Sequence, residues 1–175
     1  SDKSTPSLEK SIDSPLVGGF INSFGAQIGI KELVRELIGF MRVRPEAAYK
    51  VIIGSDSEGL RGNGADFVTA VVVHRVGNGG RYFWRRAELG KFYALRDRII
   101  QEGLLSIDVA KEVLEALKDE SSGLKWDFEI HADVGEVGET RVLIQEVVGM
   151  IRANNFEART KPDSYAASKV ADRHV

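Results

Sequence analysis

Residues 49–56 read YKVIIGSD, and the fold turns on how this stretch is read. Val51, Ile52 and Ile53 are consecutive β-branched residues with no polar break. Such a run suits a strand covered on both faces at the centre of a sheet. It closes on Gly54, Ser55 and Asp56, which puts a carboxylate at the end of a central strand.

Towards the C-terminus, residues 60–66 carry Gly62-Asn63-Gly64 and read as a turn. Residues 67–76 form a second strand, and Gly77-Asn78-Gly79-Gly80 is a strong hairpin signal. Residues 81–89 form a third strand with Tyr82, Phe83 and Trp84. Three strands joined by tight turns make an antiparallel meander. A helical region follows over 92–118, with Leu95, Ile99, Glu102, Ser106, Val109 and Val113 on one stripe. Gly103 is expected to bend or split it. Residues 126–134 (WDFEIHADV) alternate as a fourth strand. A loop over 135–138, a helix over 139–153, a short strand over 156–160 and a helix over 162–173 complete the chain.

Towards the N-terminus, residues 30–42 form a helix with Leu33, Leu37, Phe40 and Met41 on one face, and Pro45 stops it. Residues 16–30 are apolar with no clear period. Residues 1–15, rich in Ser, Asp, Lys and Pro, read as a disordered arm before one domain over 16–175. The order β-β-β-α-β-α-β-α, behind an N-terminal helical extension, requires an α/β fold. Its sheet is mixed and five-stranded, with helices on both faces.

Composition narrows the chemistry. At 175 residues, 43% hydrophobic and 29% charged, the chain can bury one ordinary core. No apolar run reaches the roughly 18 residues of a membrane span, and the first residues carry no apolar leader. The absence of cysteine excludes disulfides, thiolate catalysis and cysteine zinc sites. It fits a reducing, cytoplasmic compartment. Metals would need oxygen ligands or the three histidines, His74, His131 and His174. A net charge of −2 is not that of a protein gripping nucleic acid by bulk charge. Local basic clusters remain for that purpose: Arg81, Arg85 and Arg86; Lys91, Arg96 and Arg98; Lys161, Lys169 and Arg173.

Asp56 ends the first strand and Asp133 follows Phe128-Glu129-Ile130-His131-Ala132. Each alone also suits a strand-to-loop turn. They stand 77 residues apart, yet adjacent strands would bring them together at the carboxyl edge where α/β sheets place ligands. Close carboxylates repel unless a proton or a cation intervenes, and a hard dication such as Mg2+ or Mn2+ suits oxygen ligands. Glu102 interrupts an otherwise apolar helical stripe and is the third candidate, with Asp108 as its alternate. Asp163 follows Pro162 in the first turn of the last helix, which also suits a dipole-favoured acid. Asp172, nine residues on, is about half a turn out of phase and is its substitute. His131 shares a strand face with Glu129 and Asp133 and could position a water or contact a phosphate.

The segments VIIGSDSE at 51–58, HADVGEVGETR at 131–141 and KPDSYAASKVADRHV at 161–175 resemble a bacterial family of ribonuclease H-like proteins. The resemblance covers roughly residues 20–175. It implies two Mg2+ or Mn2+ ions held by three or four carboxylates and a two-metal hydrolysis of nucleic-acid phosphodiesters. Asp56, Asp133 and Asp163 match the family acids, and Glu102 matches loosely because of Gly103. Asp56 would bridge both ions, Asp133 and Asp163 would bind one, and Glu102 the other. Lys161 and Arg141 would hold the phosphate backbone. RNA, DNA or a hybrid would serve, and the charge favours a short or partner-delivered substrate. Two other functions fit the residues. One is a non-catalytic adaptor for protein or RNA, docking through Tyr82-Phe83-Trp84-Arg85-Arg86. The other is nucleotide-phosphate binding by the glycine-containing loop 133–140.

Overall fold

A computed structural model describes residues 19–134 and 138–161. The arm expected over 1–15 and the helix expected over 162–173 lie outside the described residues. The elements are β1 (Phe20–Asn22), β2 (Gln27–Ile28), α1 (Ile30–Val43), β3 (Ala48–Gly59), β4 (Gly64–Arg75) and β5 (Gly80–Gly90). They continue with α2 (Leu95–Glu120), β6 (Lys125–His131), α3 (Ile144–Ala153) and β7 (Glu157–Arg159).

One mixed sheet runs in the order β2-β1-β5-β4-β3-β6-β7. β3, β4 and β5 form the antiparallel meander, β6 pairs parallel with β3, and β7 pairs parallel with β6. These are the five strands expected. The two further strands come from the segment that showed no period, because pieces of three and two residues are too short to alternate visibly. β1 pairs with β5 at Ile21–Trp84 and Asn22–Phe83, so β5 is not a free edge. The Arg85 guanidinium lies 4.0 Å over the Phe20 ring and 3.4 Å from Glu112 of α2. Phe83 and Arg85 are buried, which removes them from the contact surface considered for an adaptor.

The β4–β5 turn is the one its glycines foretold. Gly77 and Gly79 take φ of 87° and 83°, where a Cβ would be strained. At Gly80 a Cβ would stand 2.7 Å from the Val73 carbonyl oxygen. The β3–β4 hairpin is longer than expected. Pairing continues through Ser57–Phe67, Glu58–Asp66 and Gly59–Ala65 before a short 3-10 turn, Arg61–Asn63. Ala65 and Phe67 are fully buried and pack with Leu105 of α2, while Phe92 meets Phe67 edge-on at 5.3 Å. That local core holds the hairpin together past Asp56, which stands three residues inside β3 instead of at its end.

α2 is unbroken. Gly103 does not interrupt it but serves its contact with α3, where a Cβ would meet Met150 Cε at 2.5 Å. The three described helices share one apolar core with Val51, Ile53, Val71, Val73 and Ile130 of the sheet. Ile52, Ala70 and Val72 form a separate small cluster on the opposite face. No described helix is long and apolar enough to cross a membrane.

Tyr49 fastens α1 to this sheet. It is 1% exposed, and the single proton of its hydroxyl lies between the carbonyls of Arg44 (2.7 Å) and Met41 (3.0 Å) at the end of α1. It accepts from Arg75 Nε at 3.1 Å, and the Arg75 guanidinium lies 4.3 Å over Phe40. Tyr49→Phe removes these bonds, although the Met41 and Arg44 carbonyls keep the N–H groups of Arg44 and Ala47, and should cost about 0.5–1.5 kcal/mol in urea unfolding. A loss below about 0.5 kcal/mol would contradict that role for the hydroxyl.

Candidate functional site

β6 accompanies β3 only as far as the pair Gly54–His131. β3 runs on to Gly59 with β4 alone beside it. Asp56 lies two residues past Gly54 and Asp133 two past His131, so both half-buried acids stand at the carboxyl edge of adjacent parallel strands. Even-numbered β3 residues face away from the helix layer, while Ser55 and Ser57 face α2. From α2 comes Glu102, 5% exposed.

Hydroxyl groups stitch α2 to β3. Ser55 Oγ lies 2.8 Å from Thr69 Oγ1 and 2.7 Å from Ser106 Oγ. Ser57 Oγ donates to Glu102 Oε2 at 2.6 Å, and the Ser57 N–H donates to Asp56 Oδ1 at 2.9 Å. Arg98 donates from Nε to Ser57 Oγ (3.1 Å) and from Nη2 to the Ser57 carbonyl (3.2 Å). Burial pushes the Glu102 carboxyl well above the ordinary carboxylate range, and the nearby charges of Asp56 and Asp133 push it further. The Ser57 hydrogen bond and the Arg98 charge oppose that rise.

Asp133 Oδ1 is 2.8 Å from Lys161 Nζ. The Lys161 N–H donates to the Val134 carbonyl at 2.9 Å, which holds the lysine beside the strand that carries Asp133. Arg141 is exposed on the short 3-10 turn Glu139–Leu143. His131 turns towards Glu129, with Nε2 at 2.9 Å from Oε1. Burial lowers its pKa, so at neutral pH the uncharged ring donates from Nε2, and Nδ1 has no partner among the described residues. Arg159 Nε, 3.3 Å from Glu129 Oε2, completes that second cluster. Asp108 is exposed on α2. Asp163 and Asp172 lie outside the described residues.

Asp56 and Asp133 are thus near enough to Glu102 for their charges to be felt there, and Lys161 pairs with Asp133. Among the described residues, no three acid or histidine side chains are grouped closely enough to hold a metal ion. Ser57 escaped the sequence reading, and Arg98 entered it only as part of the basic cluster Lys91, Arg96 and Arg98, not as a partner of Glu102. Arg98 precedes Glu102 by four residues, a spacing that places both on one helix face and could have revealed it. Ser57 carried no signal beyond its adjacency to Asp56. A third feature, the row Glu58–Asp66–Glu88 across β3, β4 and β5, becomes visible only from the register. Arg86 Nε lies 3.2 Å from Asp66 Oδ2, and burial still raises the Asp66 pKa.

The raised Glu102 pKa makes a claim about stability. An acid whose folded value exceeds its unfolded value binds its proton more tightly when folded. The stability this contributes is complete below the unfolded value of about 4.5 and is lost as pH rises through the folded value. Glu102→Gln removes that loss. In metal-free buffer its Tm should match wild type near pH 4 and exceed it at pH 8. A Glu102→Gln variant melting below wild type at pH 8 would overturn the assignment.

The family model described as "Ribonuclease H-like" matches residues 32–175. That span runs from α1 onwards and contains every candidate site residue named above. A Bacillus subtilis (strain 168) protein titled "Uncharacterized protein YkuK" is 32% identical over 164 residues, covering 88% of this chain and 95% of its own. No solved structure matches the chain. The antiparallel meander, the parallel strands that follow it and the extent of these matches agree, and the chain belongs to the ribonuclease H-like family.

Proposed function

We propose that this protein is a cytoplasmic, divalent-metal-dependent nuclease that hydrolyses nucleic-acid phosphodiester bonds. The observation that carries the reading is the buried Glu102 at the sheet edge, which feels the charges of both Asp56 and Asp133. Three carboxyl groups there have Arg98 and Lys161 as nearby cations, and the Glu102 pKa still rises. Such a cluster calls for more positive charge. The donors are oxygens only, which suits Mg2+ or Mn2+ and not a soft metal. The Lys161 ammonium on Asp133 is a built-in stand-in for that cation. Family membership supports the same reading, although a fold alone does not assign chemistry.

Asp56, Asp133 and Glu102 would hold the metal, with Asp163 as a fourth ligand and Asp172 as its substitute. A pair of such ions bound there would supply Lewis-acid polarisation of the phosphate and a more acidic water. The protein's own groups do the rest. Ser57 keeps one oxygen of Glu102 and one of Asp56 in fixed directions. Lys161, released from Asp133 by a competing cation, can pair with a substrate phosphate, and exposed Arg141 can take another. His131 stays with Glu129 and supports the wall of the site instead of touching substrate. The −2 net charge favours a short or partner-delivered strand of RNA, DNA or hybrid.

End-labelled RNA, DNA and hybrid oligonucleotides incubated with Mg2+ or Mn2+ test the proposal. Wild type should cleave at least one of them, chelator should stop it, and Asp56→Asn or Asp133→Asn should slow it about 100-fold or more. Cleavage that survives both substitutions, or none by wild type with either metal, contradicts the assignment.

A further inference from the structure

The hydrogen bonds around Ser57 have one consistent direction. A guanidinium only donates, so Arg98 Nε gives its proton to Ser57 Oγ at 3.1 Å. The single hydroxyl proton of Ser57 is then committed to Glu102 Oε2, 2.6 Å away. The backbone N–H of the same residue holds Asp56 Oδ1 at 2.9 Å. One residue, 9% exposed, thereby grips an oxygen on each of two acids from different elements, β3 and α2. Arg98 also binds the Ser57 carbonyl, and Gly59 keeps the space beside it clear, since a Cβ there would stand 3.0 Å from Arg98 Nη1.

We infer that Ser57, oriented by Arg98, is a positioning residue that sets the relative placement of Asp56 and Glu102 as cation ligands. The inference rests on the metal-dependent reading above. Partners behind a ligand fix its orientation, and losing one typically costs 10–100-fold in metal affinity. The bond between Ser55 and Ser106 supplies an internal control, because it joins the same two elements at 2.7 Å and hydrogen-bonds to neither acid. A purely structural Ser57 would behave as Ser106 does.

Mn2+ affinity of the full chain, read by electron paramagnetic resonance, separates the two roles. Ser57→Ala should bind Mn2+ about 10–100-fold more weakly than wild type with unchanged circular dichroism. Ser57→Thr, which keeps the hydroxyl, should stay within about threefold, and Ser106→Ala should keep full affinity while melting earlier. Unchanged affinity in Ser57→Ala, or equal weakening in Ser106→Ala, overturns the positioning role. If wild type binds no Mn2+, the nuclease reading falls, and a metal-free double-mutant cycle decides Ser57 separately. Urea midpoint shifts of Ser57→Ala and Glu102→Gln that fail to add support the link. Shifts that add overturn it.

Discussion

β3 has two partners of unequal length, and the site depends on that inequality. β4 pairs with it from Tyr49 to Gly59, whereas β6 stops at Gly54. Val51 and Ile53 are buried in the helix-side core and Ile52 in the small cluster on the opposite face, which explains the unbroken apolar run. Beyond Gly54 one side opens, and polar side chains become affordable. Asp56 and Asp133 each stand two residues past the last β3–β6 pair, Gly54–His131. The continued pairing with β4 keeps the open end rigid, because Ala65 and Phe67 are buried beneath α2.

Electrostatics then oppose the fold locally. Glu102 is buried beside two other acids, an arrangement that costs stability at neutral pH unless compensated. The compensation is partial: one hydroxyl proton from Ser57, one guanidinium from Arg98, and Lys161 on Asp133. Buried hydroxyls are closely satisfied at Tyr49 and along Thr69–Ser55–Ser106, whereas Asp66 Oδ1, Arg85 Nε and His131 Nδ1 are buried without a hydrogen-bond partner among the described residues. A buried acid placed near two others, with only partial compensation, is the kind of local inconsistency that marks a functional site.

Much of this was legible in the sequence, and the reasons are local. The meander could be read because its turns need glycine and its strands carry long β-branched runs. Asp56 and Asp133 could be paired because strand order follows from the meander and the βα units. Glu102 stood out as an acid in an apolar stripe. The N-terminal hairpin was hidden because two- and three-residue strands have no measurable period. Gly103 misled because its low helix propensity says nothing about helix–helix approach, which here brings Met150 against it. Ser57, the row Glu58–Asp66–Glu88 and the turn of His131 towards Glu129 depend on register and rotamer, which periodicity does not encode.

The most direct test of a cation-binding acid cluster is Mn2+ titration by calorimetry, with wild type set against Asp56→Asn and Asp133→Asn. Binding by wild type, weakened at least about tenfold in each variant with the fold intact, is the predicted result. No binding by wild type at millimolar Mn2+, with or without an oligonucleotide present, would contradict it and leave the acids as a structural feature of the sheet edge.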